Sequence, residues 1–230
     1  MGMKHSGKAR QAAFKMIFWT LVALGVIFVA AILATMLGTF VAAISVFLVG
    51  LWVLFALFTL YFFRDPNARV PGGPNLVVSP GHGTVDAIGE IDEPSVMGGR
   101  CQRISIFLSV LNVHVQNAPV SGKISYFKYN TGQFLSALKS ESATHNENVL
   151  IGIESSERPG DKIGLRLIAG VLARRIVPFV NGGEEIIRGE RISLIQFGSR
   201  TDLYLPLSAK IKVKLGDKTV GGETIMATFE

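Results

Sequence analysis

Three short segments of this sequence collect the residue types that could do chemistry. The first is Ser79-Pro80-Gly81-His82-Gly83-Thr84-Val85-Asp86, a glycine-rich loop with a histidine and a carboxylate. The second, Phe107 to Pro119, carries His114 in an alternating pattern. An imidazole there serves either as a proton carrier or as a satisfied structural side chain. The third, Ile195-Gln196-Phe197-Gly198-Ser199-Arg200-Thr201-Asp202, places a serine directly after a glycine. A serine hydroxyl is a weak nucleophile and needs a neighbouring base. Phe197-Gly198-Ser199-Arg200 lacks the Gly-x-Ser-x-Gly elbow of a serine hydrolase, which makes that reading the weakest. Taken alone, each segment also reads as a plain loop, strand or turn.

Other chemistries find less support. A single cysteine, Cys101, excludes an internal disulfide and makes a poor metal cluster. It reads as a small buried filler. The pattern Gly182 to Glu190 resembles the turn of biotinyl and lipoyl carrier domains, but no lysine stands on a hairpin tip between hydrophobic residues, so no swinging arm is expected. No metal cluster, nucleotide loop or nucleic-acid motif is visible. The net charge of +6 begins beside an apolar stretch, so anionic lipid headgroups are a simpler partner than nucleic acid.

The elements that must position these segments are short strands. Leu76 to Val78, Arg103 to Leu108, Val113 to Val115, Lys123 to Tyr129, Val149 to Glu154, Lys162 to Leu167, Arg191 to Ile195, Asp202 to Leu205 and Lys210 to Lys214 are β-branched or alternating runs between Gly and Pro punctuation. Ala169 to Val177 fits helix or strand. Ser79 to Val85 and Ala118 to Ile124 share the pattern small-Pro-x-x-Gly-x-apolar. The expected domain, 76–230, is mainly β, a sandwich or barrel-like fold.

Ahead of it, residues 16–63 form a run of 48 without Asp, Glu, Lys, Arg or His. That is enough for about two bilayer spans of roughly 20 residues each. The expected helices are Met16 to Met36 and Phe40 to Phe63, turning at Leu37-Gly38-Thr39. Lys4, Lys8, Arg10 and Lys15 precede the run, and Arg64 and Arg69 follow it. The positive-inside rule then places a basic N-terminus, 1–15, and everything after Arg64 on the cytoplasmic side of the cell membrane. Asp65-Pro66 ends the second helix, and 64–75 reads as a linker.

Taken together, these features closely resemble the phosphatidylserine decarboxylase proenzymes in their short prokaryotic form. The apolar hairpin, Phe63-Arg64-Asp65-Pro66, Val113-His114-Val115, Ala118-Pro119-Val120-Ser121-Gly122, Asn146-Glu147-Asn148, Ala173-Arg174-Arg175-Ile176-Val177, Gly189-Glu190-Arg191-Ile192 and Phe197 to Pro206 all carry the likeness. The resemblance implies self-cleavage between Gly198 and Ser199, giving a β chain, 1–198, and an α chain, 199–230. Ser199 would become a pyruvoyl group, the electron sink for decarboxylating an aminophospholipid. His114 matches the family histidine of that step, as proton donor or carboxylate orienter. Arg200, Arg174 and Arg175, with Arg64 and Arg69, are candidates for the lipid phosphate. The implied partners are the bilayer, its phospholipid substrate and the two chains of one precursor, with higher assembly open.

Two departures stand out. The family's usual Ser-Pro-Ala-Asp-Gly is Ser79-Pro80-Gly81-His82-Gly83 here, so His82 stands where a carboxylate is expected. Asn117 occupies the place of the second histidine of long forms, and Asn112 that of a usual Asp. The familiar Asp-His-Ser relay therefore cannot be assembled. His82, oriented by Asp86, is then the candidate base for Ser199. The competing expectation is an uncut, non-catalytic, membrane-tethered β-domain acting as an assembly or adaptor protein.

Overall fold

The computed structural model describes residues 7–34, 38–132, 146–170, 175–196 and 198–229. They fall into two compact units, divided between Asp65 and Pro66. Gly7–Asp65 holds α1 (Lys8–Ala34) and α2 (Thr39–Phe62). Both are long and apolar enough to cross a membrane by length and composition. α1 begins well before Met16, because the Lys, Ala, Arg and Gln residues there are good helix formers. Lys8, Arg10 and Lys15 therefore ride on its first turns. The hydroxyls of Ser45 and Thr59 donate to carbonyls one turn back, at 2.8 Å each. Such bonds satisfy a polar group that lipid cannot. At the end of α2 the Arg64 guanidinium donates to the Tyr61 carbonyl and lies 4.1 Å from the centre of the Tyr61 ring.

The second unit is mainly β. Its strands are β1 (Leu76–Val78), β2 (Gly83–Glu93), β3 (Gly99–Leu108), β4 (Val115–Asn117), β5 (Gly122–Asn130), β6 (Asn148–Ser155) and β7 (Lys162–Ala169). They continue with β8 (Arg175–Pro178), β9 (Glu185–Ile186), β10 (Arg191–Gln196), β11 (Ser199–Leu205), β12 (Lys210–Ile211), β13 (Lys218–Thr219) and β14 (Ile225–Thr228). The large, curled sheet has the order β13-β2-β3-β11-β7-β6-β5-β9. Two three-stranded sheets, β4-β10-β8 and β1-β14-β12, accompany it. Alternate residues of β3, β6, β7 and β11, among them Ile104, Ile106, Ile151, Leu165 and Leu203, bury into one apolar core. Each fully buried side chain of this size contributes roughly 1.5–3 kcal/mol.

Several elements differ from their sequence expectations. β2 escapes strand patterning because Asp86, Gly89, Glu90 and Asp92 hold its exposed positions. β14 was not expected, β4 starts two residues after Val113, and Lys210 to Lys214 shortens to Lys210–Ile211. The ambiguous Ala169 to Val177 is strand at both described ends, and 171–174 lies outside the described residues. The repeated Pro-x-x-Gly pattern has a physical cause. Gly83 and Gly122 each open a strand, and a Cβ there would lie 2.3 Å from the Phe107 carbonyl oxygen and 2.1 Å from that of Glu154. Residues 66–75 run along the β unit: Arg191 donates to Asn67 Oδ1 at 2.9 Å, Arg188 to the Gly73 carbonyl at 2.8 Å, and the Arg69 amide to Glu223 Oε1 at 2.9 Å.

Candidate active site

Gly198 marks the corner where the chain leaves β10, in a three-stranded sheet, and enters β11, in the large sheet. Its φ of +73° is the left-handed conformation that glycine adopts without steric cost. Ser199 opens β11, opposite Leu108 of β3 and Ala169 of β7. It is fully buried, and its Oγ has no hydrogen-bond partner among the described residues. Burying a hydroxyl without a partner costs free energy, so this atom calls for an explanation.

The Gly198 peptide groups are held on both sides. The Gly170 amide donates to the Gly198 carbonyl oxygen at 3.1 Å. The Gly198 amide donates to His114 Nε2 at 3.1 Å. An Nε2 that accepts leaves the ring proton on Nδ1, where it reaches the Asn112 carbonyl oxygen at 2.9 Å. That turn is itself locked: Asn112 Oδ1 accepts from the Ser109 amide at 2.9 Å and from the Ser109 hydroxyl at 2.8 Å. The imidazole is thus fixed in one tautomer, beside the residue that precedes Ser199.

Gln116, buried two residues further on, joins the three candidate segments. Its Nε2 donates to the His114 carbonyl at 3.2 Å, and its Oε1 accepts from the Thr201 hydroxyl at 2.9 Å. A Cβ on Gly81 would lie only 2.7 Å from the same Oε1. The Gly81 carbonyl accepts from Ser79 Oγ at 2.7 Å and Thr219 Oγ1 at 3.0 Å, which fixes the loop.

His82 stands on that loop. A Cβ on Gly221 would meet His82 Nε2 at 3.0 Å and Asn117 Oδ1 at 2.6 Å, so the two side chains share one corner. Phe107 pairs with Thr84 on one side and Arg200 on the other, so β3 separates the start of β2 from the start of β11. Two strand spacings amount to about 10 Å. Asp86, expected to orient His82, lies 3.1 Å from Arg200 Nη1 instead. Burial pushes its carboxyl above the usual range, against the opposing pull of Arg200. Arg200 also donates to Asp202 Oδ1 at 3.0 Å and is buried, so both acids already neutralise this phosphate candidate. Arg175 is exposed at the start of β8, and Arg174 lies outside the described residues. Cys101 is buried, as a filler should be.

Sequence reasoning missed Gly170 and Gln116. For Gln116 a signal existed: it alternates with His114 and so shares its face. Nothing local in the sequence marks the Gly170 amide.

The comparisons with known proteins point to one family. The family model described as phosphatidylserine decarboxylase matches residues 55–227. A phosphatidylserine decarboxylase proenzyme of Desulfotalea psychrophila is 43% identical over 176 residues, covering 76% of this chain and 81% of the relative. One from Citrifermentans bemidjiense is 39% identical over 201 residues, 86% of this chain and 89% of the relative. One from Wolbachia pipientis is 41% identical over 185 residues, 78% and 80% respectively. A mainly β domain behind two apolar helices, with these relatives, defines an enzyme of the decarboxylase class. The chain belongs to the phosphatidylserine decarboxylase family.

Proposed function

We propose that this protein decarboxylates phosphatidylserine to phosphatidylethanolamine and CO2, using a pyruvoyl group made from Ser199 by cutting its own backbone after Gly198. The observation that carries the reading is the buried, unpartnered Ser199 Oγ directly after a carbonyl held by the Gly170 amide. A nucleophile stripped of hydrogen bonds beside a polarised carbonyl is what an internal acyl shift requires. These residues therefore fit the group.

In the cut, Ser199 Oγ bonds to the Gly198 carbonyl carbon and the Gly198–Ser199 C–N bond breaks, with the hydroxyl proton passing to the leaving nitrogen. The Gly170 amide stabilises the charge that develops on the Gly198 oxygen. Loss of the Ser199 α-proton then expels Gly198 as a carboxylate. Water converts the remaining dehydroalanine to a pyruvoyl group, an α-keto amide still bonded to Arg200, and ammonia. Both ring nitrogens of His114 are engaged in the uncut chain, so transfer of the Ser199 hydroxyl proton is assigned to His82, relayed by water across the two strand spacings between its loop and β11.

The pyruvoyl group supplies an electron sink for the pair left when CO2 departs. Once the Gly198 amide no longer occupies it, Nε2 of His114 takes up and delivers the proton that the substrate carbon needs. Arg175 and Arg174, with Arg69, are the cations for the phosphate. The two products of the cut stay together, because β11 is bonded to β3 on one side and β7 on the other. The helices set the β domain on the cytoplasmic face of the inner membrane, where the head group lies.

A denaturing gel with intact-mass analysis tests this. Two fragments meeting at the 198–199 bond are expected, the smaller blocked at its N-terminus by pyruvoyl. Ser199→Ala is expected to stay one chain. A wild-type chain that never splits would reduce the protein to a tethered, non-catalytic relative.

A further inference from the structure

Gly198 is bonded through both of its polar groups to atoms that the decarboxylation itself can use. Its N–H rests on His114 Nε2 and its carbonyl oxygen on the Gly170 amide, each at 3.1 Å. One is an imidazole nitrogen that can take up a proton once the amide leaves it, and the other is a fixed donor suited to an anionic oxygen. Resting on the reading above, we propose that Gly198 of the uncut chain fills the subsite for the amino-acid head group, and that self-cleavage empties it. The cut thus does two things: it makes the cofactor at Ser199 and unmasks His114 and the Gly170 amide for the substrate carboxylate end.

Two features of the corner favour departure of the new chain end. Cleavage removes the bond that holds Gly198 against β11. No side chain anchors the residue, since a glycine offers only its backbone, and Gly198 is itself partly exposed, so water can reach the new end. His114 and Gly170 have firmer support. The imidazole is tied to the locked Ser109–Asn112 turn, and the Asn146 amide side chain donates to the carbonyl of Ala169, next to Gly170, at 2.6 Å. The slot therefore keeps its walls when its occupant leaves.

The ligand class follows from the two contacts. An oxygen anion suits the Gly170 amide, and the neighbouring carbon must lie within reach of Nε2. A serine head group supplies both, whereas an ethanolamine head group lacks the carboxylate.

Deuterium exchange at the imidazole C2 of each histidine, read by mass spectrometry in detergent micelles, tests the proposal. Each rate is scaled to that of the same histidine in the chain unfolded in denaturant. His114 should exchange several-fold faster in cut wild-type protein than in uncut Ser199→Ala. In cut protein whose terminal ketone is reduced with borohydride to stop turnover, phosphatidylserine in the micelles should slow His114 again, and phosphatidylethanolamine should do so less. Equal His114 rates in fully cut and uncut protein would overturn the subsite while leaving the decarboxylase reading intact. Equal protection by the two lipids would overturn its carboxylate selectivity. Failure of the wild-type chain to cut would instead overturn the reading beneath it.

Discussion

The Gly198 amide donates to Nε2 of His114, a residue 84 positions earlier in the chain, at 3.1 Å. The bond ties the corner between two sheets to the segment that enters β4. It also decides a question of roles. A ring whose Nε2 accepts from a backbone amide and whose Nδ1 faces a carbonyl oxygen has no lone pair left for Ser199. On the proposed mechanism His114 then serves the step after the cut, and the proton of Ser199 has to go elsewhere.

His82 is the candidate for that proton. His82→Ala should slow self-cleavage by about 10²-fold or more, the usual contribution of a general base. The measurement is a time course of fragment 1–198 after synthesis, followed on a denaturing gel. Cleavage at the wild-type rate would remove His82 from the mechanism.

Gly81 should matter through Gln116. A Cβ there would meet Gln116 Oε1 at 2.7 Å and displace the acceptor of the Thr201 hydroxyl. Gly81→Ala is expected to cost about 1 kcal/mol, the worth of one such hydrogen bond. In a Gln116→Ala background the same change should cost almost nothing, because the two sites share one contact. Denaturant unfolding of all four proteins checks this, and equal costs in both backgrounds would count against the coupling.

Gly198→Ala separates backbone strain from crowding. A Cβ at this position would lie 3.8 Å from Val110 Cγ1, an ordinary contact, so space is not the obstacle. The φ of +73° is, because a left-handed L-residue costs about 1–2 kcal/mol. Placed in the uncut Ser199→Ala chain, the substitution should lower Tm by several degrees. An unchanged Tm would mean that the corner relaxes without cost.

Much of this architecture is legible in the sequence wherever one residue's type decides its own setting. The uncharged run before Arg64 gives two helices, and the alternation in β5, β6 and β7 gives strands close to their observed bounds. Ser199 and Gly198 stand out by type and setting. What escapes depends on partners far along the chain. β2 carries Gly and acidic residues on its exposed positions, and its ladders with β3 and β13 make it a strand. The pairing of Asp86 with Arg200 sits at a register shift between Val85 and Ala87 that no local pattern announces. The Gly170 amide belongs to the backbone, so no side chain could point to it.

Tyr129 offers an alkaline handle on the same domain. Its hydroxyl donates to Glu147 Oε1 at 2.6 Å, and that carboxylate oxygen also accepts from the Ile176 amide at 2.8 Å. The contact thus joins the end of β5 to β8, next to the Arg175 that is offered to the lipid phosphate. Burial, followed by the bonded carboxylate, pushes the phenol up to about 12 from its ordinary 10.0. Below the ordinary value both folded and unfolded chains keep the proton, and the contribution to stability is complete. Between the two values the unfolded chain releases its proton while the folded chain holds it, so stability falls as pH rises and the contribution is gone above about 12. Burial also raises Tyr204, which adds a fall of the same sign. Tyr129→Phe should therefore flatten the alkaline decline only in part. At neutral pH it should cost at most about 1 kcal/mol, because a half-exposed bond is weakened by solvent. Unfolding free energies measured across pH 7 to 12 for both proteins test the assignment. Parallel curves would show that the Tyr129–Glu147 bond does not supply the linkage.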